Sequence, residues 1–561
     1  MKPSNFSLLA ILAAALAIGS PVPGISETVK PLGQPGPLSV NNITVGEATG
    51  KSSLPILSTG EPVQFPGPNN GQYGNMSVAT AETVNLKRRD QWSYGCTREI
   101  EYKWGQCINM INATPYRWRK GYSHSYRVSA WEDRWPEYIE PGESIAVLAR
   151  TTSVSIFRNA DDSAGEVAYH LEGTDKPMSF MLEYRSGTLH LPWIRLLEDL
   201  EVMNHHKGAE FNLGARVSPY GVGFILAGTE GDFVTNDGPA AWMQAMVDDI
   251  GHKPLREIVL GRSHHAGMYK VQGGFPGMEW NTVTQMATLY DQLRNGGARV
   301  LDARVVRAAG GRFRAGHGTL ALDSWWGTWG VAFDELIEQT NQFNEDYPGE
   351  LIIWDLHPTE AFESDGYLSG ERRAEFLESL KALNHRVRLP EGVDITKMPL
   401  NKFINSRDKQ PAVIIRVDER WLEDVDPADW PGPSEGFVTN RQFPMTSTWS
   451  EKMNIEDVVE HQLQSLDEVE VSRTSEVYDM QWLQTLVGFF SVWPFGASLI
   501  SIADQAWDAA FRDLFNALTP ERYPNWLTFD NIRNSEMKTL VMAMNQCFVL
   551  DKCGDWVHER R

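Results

Sequence analysis

Cysteine is scarce in this chain. The 561 residues include four cysteines, which fall into two close pairs, Cys96 with Cys107 and Cys547 with Cys553. Neither pair has the CxxC spacing of a zinc site, so a metal site built from cysteines is disfavoured. In an oxidising compartment, each pair is expected to be able to form a local disulfide.

Positive charge is also in short supply. Lys and Arg number 51 against 73 Asp and Glu, which gives a formal net charge of -22. Nucleic-acid-binding proteins carry basic surfaces, so that class is disfavoured, and no nucleic-acid partner is expected. Simple electrostatic adsorption to anionic lipid is disfavoured for the same reason. Any contact with lipid must therefore be aromatic or apolar.

Long hydrophobic runs are missing as well. The N-terminal run over residues 8–18 is too short to span a membrane comfortably, which argues against a membrane anchor. Small and helix-breaking residues follow it, as at the end of a signal peptide. We therefore predict a signal peptide over residues 1–25 and a secreted, extracellular protein. Sequons at Asn42, Asn75 and Asn112 are consistent with surface glycosylation.

Three further regions follow the signal peptide. Residues 26–85 are rich in Pro, Gly and Ser, which indicates a disordered linker or pro-segment. Residues 86–240 contain short strand-like runs separated by turns, which predicts a mainly antiparallel β-sandwich accessory domain. This region resembles small secreted fungal sandwich domains of the aegerolysin or cytolysin type. Residues 250–561 alternate apolar strands with amphipathic helices, which predicts an α/β, TIM-type (β/α) barrel.

The barrel prediction rests on particular segments. The candidate strands cover residues 257–260, 298–303, 351–356, 412–417, 486–492 and 526–529. The candidate helices cover residues 333–343, 371–383, 455–466 and 503–518. Barrel enzymes place their chemistry at the rim where the strands end, so polar residues just beyond these strands are the candidates for function.

Two histidines and an arginine stand out among these polar residues. His264 follows the first apolar strand, and Arg304 and then His317 follow the second. One imidazole can accept a proton, the other can donate one, and a guanidinium can hold a phosphate between them. This set of residue types suits phosphoryl transfer.

The same segments resemble a known family. The stretch around His264 and the later stretch with Asp302, Arg304 and His317-Gly318 resemble two boxes of the phosphatidylinositol-specific phospholipase C X-domain. Residues 348–356 and 524–530 resemble its next and its last strand. The resemblance, which spans roughly residues 250–550, implies a secreted phosphodiesterase of fungal origin that cleaves a phospholipid headgroup.

The resemblance also implies roles for five catalytic residues. His264 matches the general base, Asp530 the carboxylate that orients it, and His317 the general acid. Arg304 matches an arginine that faces the phosphate where animal relatives hold calcium, so no metal and no cofactor are expected. Asp302 is expected to orient Arg304 or His317. A helix N-cap is the alternative for Asp530, and a surface ion pair is the alternative for Asp302.

Four more residues are candidates for substrate binding. His265 replaces the Asp or Asn that usually follows the first histidine, which removes a carboxylate expected to tune the general acid. His357 stands where bacterial relatives carry a lysine, Arg416 matches another headgroup-binding basic residue, and Asp355 ends the strand before His357. These departures leave recognition of inositol open.

Several alternatives stay open at this point. The barrel would suit a glycerophosphodiester or sphingolipid phosphodiesterase, although those relatives use a Glu-x-Asp pair where this chain has Asp302-Ala303-Arg304. A non-catalytic protein that binds lipid or glycan on the same barrel is another. The apolar stretch over residues 487–495 is interpreted as a strand with its loop, with peripheral membrane contact as the second reading. The sequence does not indicate the oligomeric state.

Overall fold

The computed structural model describes residues 93–559, except for positions 95, 97–104, 129–130, 151–162, 186–190, 217–219, 276, 322–323, 364–365 and 487–497. These described residues all fall in one compact unit, Lys87–Arg561. The signal peptide, the 26–85 segment, the sequons at Asn42 and Asn75 and nearly all of the candidate strand over 486–492 lie outside them. Within the described part of the chain, no helix combines the length and the apolar character needed to cross a membrane.

The first half of the chain forms two sheets. The strands are β1 Ser93–Tyr94, β2 Gly105–Ala113, β3 Arg117–Tyr126, β4 Tyr138–Ile139, β5 Ser144–Arg150, β6 Ala164–Glu172, β7 Met178–Tyr184, β8 Pro192–Glu198, β9 Glu210–Asn212, β10 Val222–Ala227 and β11 Val234–Thr235. One sheet has the order β1-β5-β2-β10-β11, and the other has the order β4-β3-β6-β7-β8-β9.

The two sheets share a hydrophobic core. Met110 and Phe224 from the first sheet and Trp118 and Phe180 from the second belong to one buried cluster. The second sheet is antiparallel throughout, but the first contains two parallel pairs, β1 with β5 and β2 with β10. The predicted sandwich assumed mainly antiparallel strands and therefore stays a prediction.

The second half contains a larger sheet. Its strands are β12 Leu260–Ser263, β13 Gly273–Phe275, β14 Ala298–Arg307, β15 Phe313–Ala321, β16 Ser324–Ala332, β17 Leu351–Glu363, β18 Gly366–Tyr367, β19 Ala412–Val417, β20 Phe437–Thr439, β21 Met445–Trp449, β22 Val477–Gln481 and β23 Trp526–Phe529. Helices alternate with them, so the chain is a mixed α/β protein. The α-helices cover Trp131–Arg134, Trp242–Ile250, Glu279–Thr282, Leu289–Arg294, Phe333–Asp346, Gly370–Ser379, Ile455–Glu468, Leu499–Ala509, Phe515–Ala517, Glu536–Met544 and Trp556–Glu559.

Eight strands of the larger sheet run parallel in the order β20-β19-β17-β14-β12-β23-β22-β21. All residues of β12, β19 and β23 are buried, as expected for parallel strands covered on both faces. Among the described residues no ladder joins β20 to β21, so the predicted closed barrel also stays a prediction. The antiparallel strands β15, β16 and β13 extend the sheet beyond the second half of β14.

A buried ion pair stabilises the start of two parallel strands. The Arg299 Nε donates to Glu350 at 2.6 Å, and both side chains are fully buried. Glu350 also accepts the backbone N–H groups of Met243 and Gln244 at the start of the Trp242–Ile250 helix. Both charges are therefore matched by several hydrogen bonds, which is what makes a buried ion pair tolerable.

Replacing Arg299 alone should destabilise the protein severely. Arg299→Met leaves the Glu350 carboxylate buried without its counter-charge, so the free energy of unfolding should fall by about 3–5 kcal/mol. Urea unfolding followed by tryptophan fluorescence measures this loss. The double variant Arg299→Met/Glu350→Gln should recover most of it. A single variant as stable as the natural protein would contradict the argument.

Both cysteine pairs form the disulfides allowed by the sequence, Cys96–Cys107 and Cys547–Cys553.

The structure corrects the expectation that Asn112 is a surface glycosylation site. This side chain is fully buried, and its amide donates to the carbonyls of Tyr116 and Ile139 at 2.8 and 3.0 Å. A glycan attached there would replace one of the two amide hydrogens that make these bonds, and the side chain is buried, so the folded surface does not offer Asn112 for glycosylation.

Candidate active site

The first candidate histidine is tied to its predicted partner. His264 follows β12, and its Nδ1 donates to the Asp530 carboxylate at 2.7 Å. Asp530 follows β23, which pairs in parallel with β12, so the two residues leave neighbouring strands at the same end. The Nδ1–H···carboxylate bond leaves Nε2 as the acceptor nitrogen. Helix capping by Asp530 is not observed, because the next helix begins at Glu536.

Gln285 holds the two turns together. Its amide donates to the His264 carbonyl at 2.9 Å and to the Phe529 carbonyl at 3.2 Å. Its oxygen accepts the backbone N–H of Ile532 at 2.8 Å. The residue is fully buried, so these bonds are shielded from water. The geometry of the His264–Asp530 pair is therefore supported by backbone contacts on both sides.

His265 lies between the other two histidines. Its ring centroid is 4.5 Å from that of His264 and 4.0 Å from that of His317. Its φ of 41° is in the left-handed region, where non-glycine residues are uncommon and often functional. This backbone conformation accompanies a hydrogen bond from the His265 N–H to Asp302 Oδ2 at 3.0 Å. The His265 Nδ1 donates to the Gly316 carbonyl at 3.1 Å.

His317 is oriented by a carbonyl rather than by a carboxylate. Its Nδ1 donates to the Thr282 carbonyl at 2.9 Å, so Nε2 is its acceptor nitrogen when the ring is neutral. Burial lowers the pKa of His317 to about 3, although the bond to Thr282 raises it. Burial also holds the pKa of His265 and of His357 well below the ordinary histidine value, and Arg304 lowers both further.

The glycines beside His317 are required by the packing of the sheet. A Cβ on Gly318 would lie 2.4 Å from the Trp326 carbonyl oxygen on the neighbouring strand β16. A Cβ on Gly316 would lie 2.9 Å from the Val306 side chain. Both positions therefore need glycine because of close packing within the protein.

Asp302 and Arg304 form a buried pair. The Arg304 Nε donates to Asp302 Oδ2 at 3.0 Å, and the carboxylate is fully buried rather than part of a surface ion pair. Burial alone would raise the pKa of Asp302, but Arg304 and Arg262 outweigh it and hold this pKa far below its ordinary value. Asp302 therefore orients Arg304 and the His265 backbone, whereas Thr282 orients His317.

Asp302 also begins a row of alternating buried charges across neighbouring strands. Arg262 lies 3.1 Å from Asp302 and 2.8 Å from Asp355, and Arg416 donates to Asp355 at 2.7 Å. We call these four residues the charge row. Asp355 and Arg416 are thus paired within the protein, and their predicted role in substrate binding stays a prediction. His357 lies beyond Asp355 and is half-buried, near enough to Arg304 and Asp302 to feel their charges.

Two members of this site were missed in the sequence. Arg262 lies in the fully buried strand Leu260–Ser263, whose sequence Leu-Gly-Arg-Ser has no apolar pattern that would have marked it. Asp479 lies on β22, 3.5 Å from Arg262, and accepts the Thr528 hydroxyl at 2.5 Å. Burial raises the pKa of Asp479 despite the attraction of Arg262.

One group of side chains could hold a metal ion. His264, His265 and Asp302 offer ligand atoms that lie within 4.8 Å of one another. Two imidazoles and a carboxylate suit a divalent transition metal with an open coordination position. However, Asp302 already pairs with two arginines, whose positive charge competes with any cation at this carboxylate.

Comparisons with known proteins give only distant likenesses. No protein-family model and no curated protein matches the chain. A mutant phosphatidylinositol-specific phospholipase C from Staphylococcus aureus is similar to 54% of this chain and 97% of its own, at 15% identity and a TM-score of 0.39. The phosphatidylinositol-specific phospholipase C from Listeria monocytogenes is similar over 54% of this chain and 98% of its own, at 12% identity and a TM-score of 0.35. Likeness at this distance assigns neither a family nor an activity.

Proposed function

We propose that this chain is a phosphoric diester hydrolase of the phospholipase C type that cleaves a phospholipid headgroup, phosphatidylinositol by preference, without a metal ion. One observation carries the proposal. His264 is hydrogen-bonded to Asp530 at 2.7 Å, and its ring and that of His317 both lie against His265, beside Arg304. A proton acceptor, a proton donor and a guanidinium thus lie within reach of a single phosphodiester.

The proposed reaction has two steps. The His264 Nε2 accepts the proton of a substrate hydroxyl next to the phosphate, and that oxygen attacks phosphorus. The bond from phosphorus to the glycerol oxygen breaks, and His317 donates its proton to the departing oxygen. Arg304 stabilises the negative charge that builds up on the phosphoryl oxygens. A cyclic phosphate leaves or is hydrolysed by water, with the histidines exchanging roles.

Protonation of His317 should accompany binding of the anion. With a pKa of about 3 in the free protein, His317 is neutral at pH 7, yet the proposed acid must carry a proton on Nε2. A bound anion favours the imidazolium and raises this pKa. Calorimetry with sulfate, in buffers of different ionisation enthalpy at pH 7, should show uptake of up to one proton per bound anion. His317→Ala should abolish the uptake. Anion binding without proton uptake would rule out His317 as the acid.

The proposal is tested with phosphatidylinositol vesicles in the presence of a chelator. Release of a cyclic inositol phosphate, followed by phosphorus NMR, is the expected result, and added calcium should not change the rate. Turnover that is lost with chelator and restored by calcium would overturn the metal-independent mechanism. His264→Ala, assayed in the same way, controls for activity from a contaminating enzyme.

A metal-using phosphodiesterase that acts on a glycerophosphodiester or a sphingolipid is the second candidate. The donor set of His264, His265 and Asp302 favours it. The same assay separates the two functions if it is repeated with those substrates and with Mg²⁺ or Zn²⁺. Turnover that appears only with added metal would establish the second candidate and exclude the first.

Peripheral contact with a membrane fits the proposed substrate. Met278 and Met286 are 52% and 60% exposed, and they flank Thr282, whose carbonyl orients His317. Apolar side chains beside the site would bring it to the lipid surface without relying on charge.

We also propose that the protein is secreted. Both disulfides support this, because such bonds persist in oxidising compartments.

Removing this apolar contact should weaken binding to vesicles. Met278→Ser/Met286→Ser loses two thioether side chains that could each be partly buried in lipid, so partitioning should fall roughly tenfold. Sedimentation with sucrose-loaded phosphatidylcholine vesicles measures it. Val393→Ser is the matched control, because Val393 is also an exposed apolar residue, with 40% of its surface accessible. It precedes the 3-10 helix Ile395–Lys397, which ends beside Leu255. Leu255 comes before the start of β12, whereas His264 comes after its end. Equal partitioning of both variants would contradict the proposed contact.

A further inference from the structure

The turn that carries Asp530 is held by the protein on several sides. Asn531 adopts a left-handed φ of 51°, and its N–H donates to the Thr284 carbonyl at 2.7 Å. Its side-chain amide donates to Asp504 at 3.1 Å. The Trp507 indole donates to the Asp530 carbonyl at 2.9 Å. The position of the Asp530 carboxylate therefore depends on Asp504 and Trp507, which lie on the Leu499–Ala509 helix.

Asp504 is in turn held by an arginine from the first half of the chain. Arg216 lies between β9 and β10, and it donates to Asp504 Oδ1 at 2.7 Å. The other terminal nitrogen of its guanidinium donates to Glu536, at the start of the helix after the Asp530 turn. All three side chains are buried, with at most 1% of their surface exposed. Arg216 thus links the Leu499–Ala509 helix to the start of the Glu536–Met544 helix, which follows the Asp530 turn.

The charges of this group balance, and Arg216, Asp504 and Glu536 are buried while Arg533 is partly exposed. Arg533 also donates to Asp504 at 2.9 Å, so two arginines face two carboxylates. Glu536 further accepts the Gly223 N–H of β10 at 3.3 Å. A guanidinium can bridge two carboxylates in fixed directions, which an ammonium cannot do. Because water does not compete for these buried carboxylates, the guanidinium helps to fix where Asp504 and Glu536 lie relative to each other.

We infer that Arg216 is a positioning residue for the His264–Asp530 pair and acts through Asp504 and Asn531 on the Asp530 turn. Its consequence for catalysis rests on the proposed function. Displacement of a catalytic group by about 1 Å can cost roughly a hundredfold in rate, even when the change is remote. The first two sheets therefore form part of the scaffold of the site and are not only an accessory domain.

The test removes the bridge without stranding a charge. Arg216→Met/Glu536→Gln leaves Arg533 paired with Asp504, so the protein should fold. We expect kcat on a water-soluble inositol phosphodiester to fall 10- to 100-fold, with KM changed less than twofold. The low-field proton resonance of His264 Nδ1–H, bonded to Asp530, should shift or broaden. Arg216→Lys should lower kcat to a similar extent, because an ammonium cannot bridge both carboxylates.

The matched control is Arg299→Met/Glu350→Gln. It removes an ion pair that is equally buried but lies where β14 and β17 begin, away from the Asp530 turn. Its kcat and its Nδ1 proton resonance should stay as in the natural protein. A natural kcat and resonance in the Arg216→Met/Glu536→Gln variant, or equal losses in the control, would overturn the inference. If the natural protein cleaves no phosphodiester, the proposed function fails, and the proton resonance still decides the role of Arg216.

Discussion

His264→Ala and His317→Ala should each lower kcat/KM for phosphatidylinositol by roughly two to four orders of magnitude, as expected for lost general acid or base catalysis. His264 loses the nitrogen that accepts the substrate proton, and His317 loses the nitrogen that protonates the leaving oxygen. Both changes remove a ring from a partly exposed cluster and break one hydrogen bond, to Asp530 or to Thr282. Folding should therefore survive, which circular dichroism and thermal unfolding would check.

The leaving group separates the two roles. A substrate whose leaving group is a good one, such as a nitrophenol, needs little protonation, so it should rescue His317→Ala but not His264→Ala. Rescue of both variants, or of neither, would mean that the acid and base are wrongly assigned.

Asp530→Asn should lower the rate less than loss of His264 does, yet still by a large factor, because a misoriented imidazole is a poor base. His265→Ala should be assayed beside His264→Ala. If His265→Ala is inactive while His264→Ala remains active, His265 rather than His264 is the general base.

Arg304→Met should lower kcat/KM by roughly two to three orders of magnitude, the size measured for loss of one donor to a developing negative charge. Arg304 is largely buried, and Asp302 holds its Nε at 3.0 Å, so its remaining N–H groups are preorganised. Arg304→Lys keeps the charge but loses the planar fork, so it should recover only part of the rate. Steady-state kinetics on phosphatidylinositol in detergent micelles measures both variants.

The outcome for phosphorothioate substrates identifies what Arg304 does. Replacing one non-bridging oxygen with sulfur weakens hydrogen bonds to that position. The natural enzyme should therefore discriminate between the two stereoisomers, and Arg304→Met should discriminate much less. An Arg304→Met variant that keeps both the natural rate and the natural stereoselectivity would show that the guanidinium only neutralises Asp302. Thermal unfolding controls for the buried carboxylate that the substitution leaves with Arg262 alone.

Some strands could be predicted to the residue, and the reason is physical. Ala412–Val417 and Trp526–Phe529 match their predicted bounds, because a fully buried parallel strand is apolar on both faces. Val477–Gln481 escaped prediction, since Tyr478, Asp479 and Gln481 interrupt its apolar pattern. The partners of the buried Asp479, Arg262 and Thr528, come from strands that the local sequence around Asp479 does not show.

The same limit applies to the site. His264 and Asp530 could be named from the sequence because each follows an apolar strand. Asp302, Arg304 and His317 could be named from the family resemblance, and they lie inside β14 and β15 rather than beyond the strand ends. The Thr282 carbonyl that orients His317 could not, because every residue has a carbonyl and only the fold selects one. The bridge from Arg216 to Asp504 was equally hidden, since the two residues lie far apart in the chain and meet only in the folded structure.

The charge row constrains how this sequence can drift. Asp355 has two arginine partners and Arg262 reaches several aspartates, so replacing one member leaves the buried charges of the row unbalanced. Substitutions along the row are therefore strongly non-additive, and a change at Asp355 is tolerated only together with a change at Arg416 or Arg262. Divergent descendants of this protein should inherit the four positions in combinations. Relatives of this protein should then be recognised more reliably from paired identities at these positions than from any single residue.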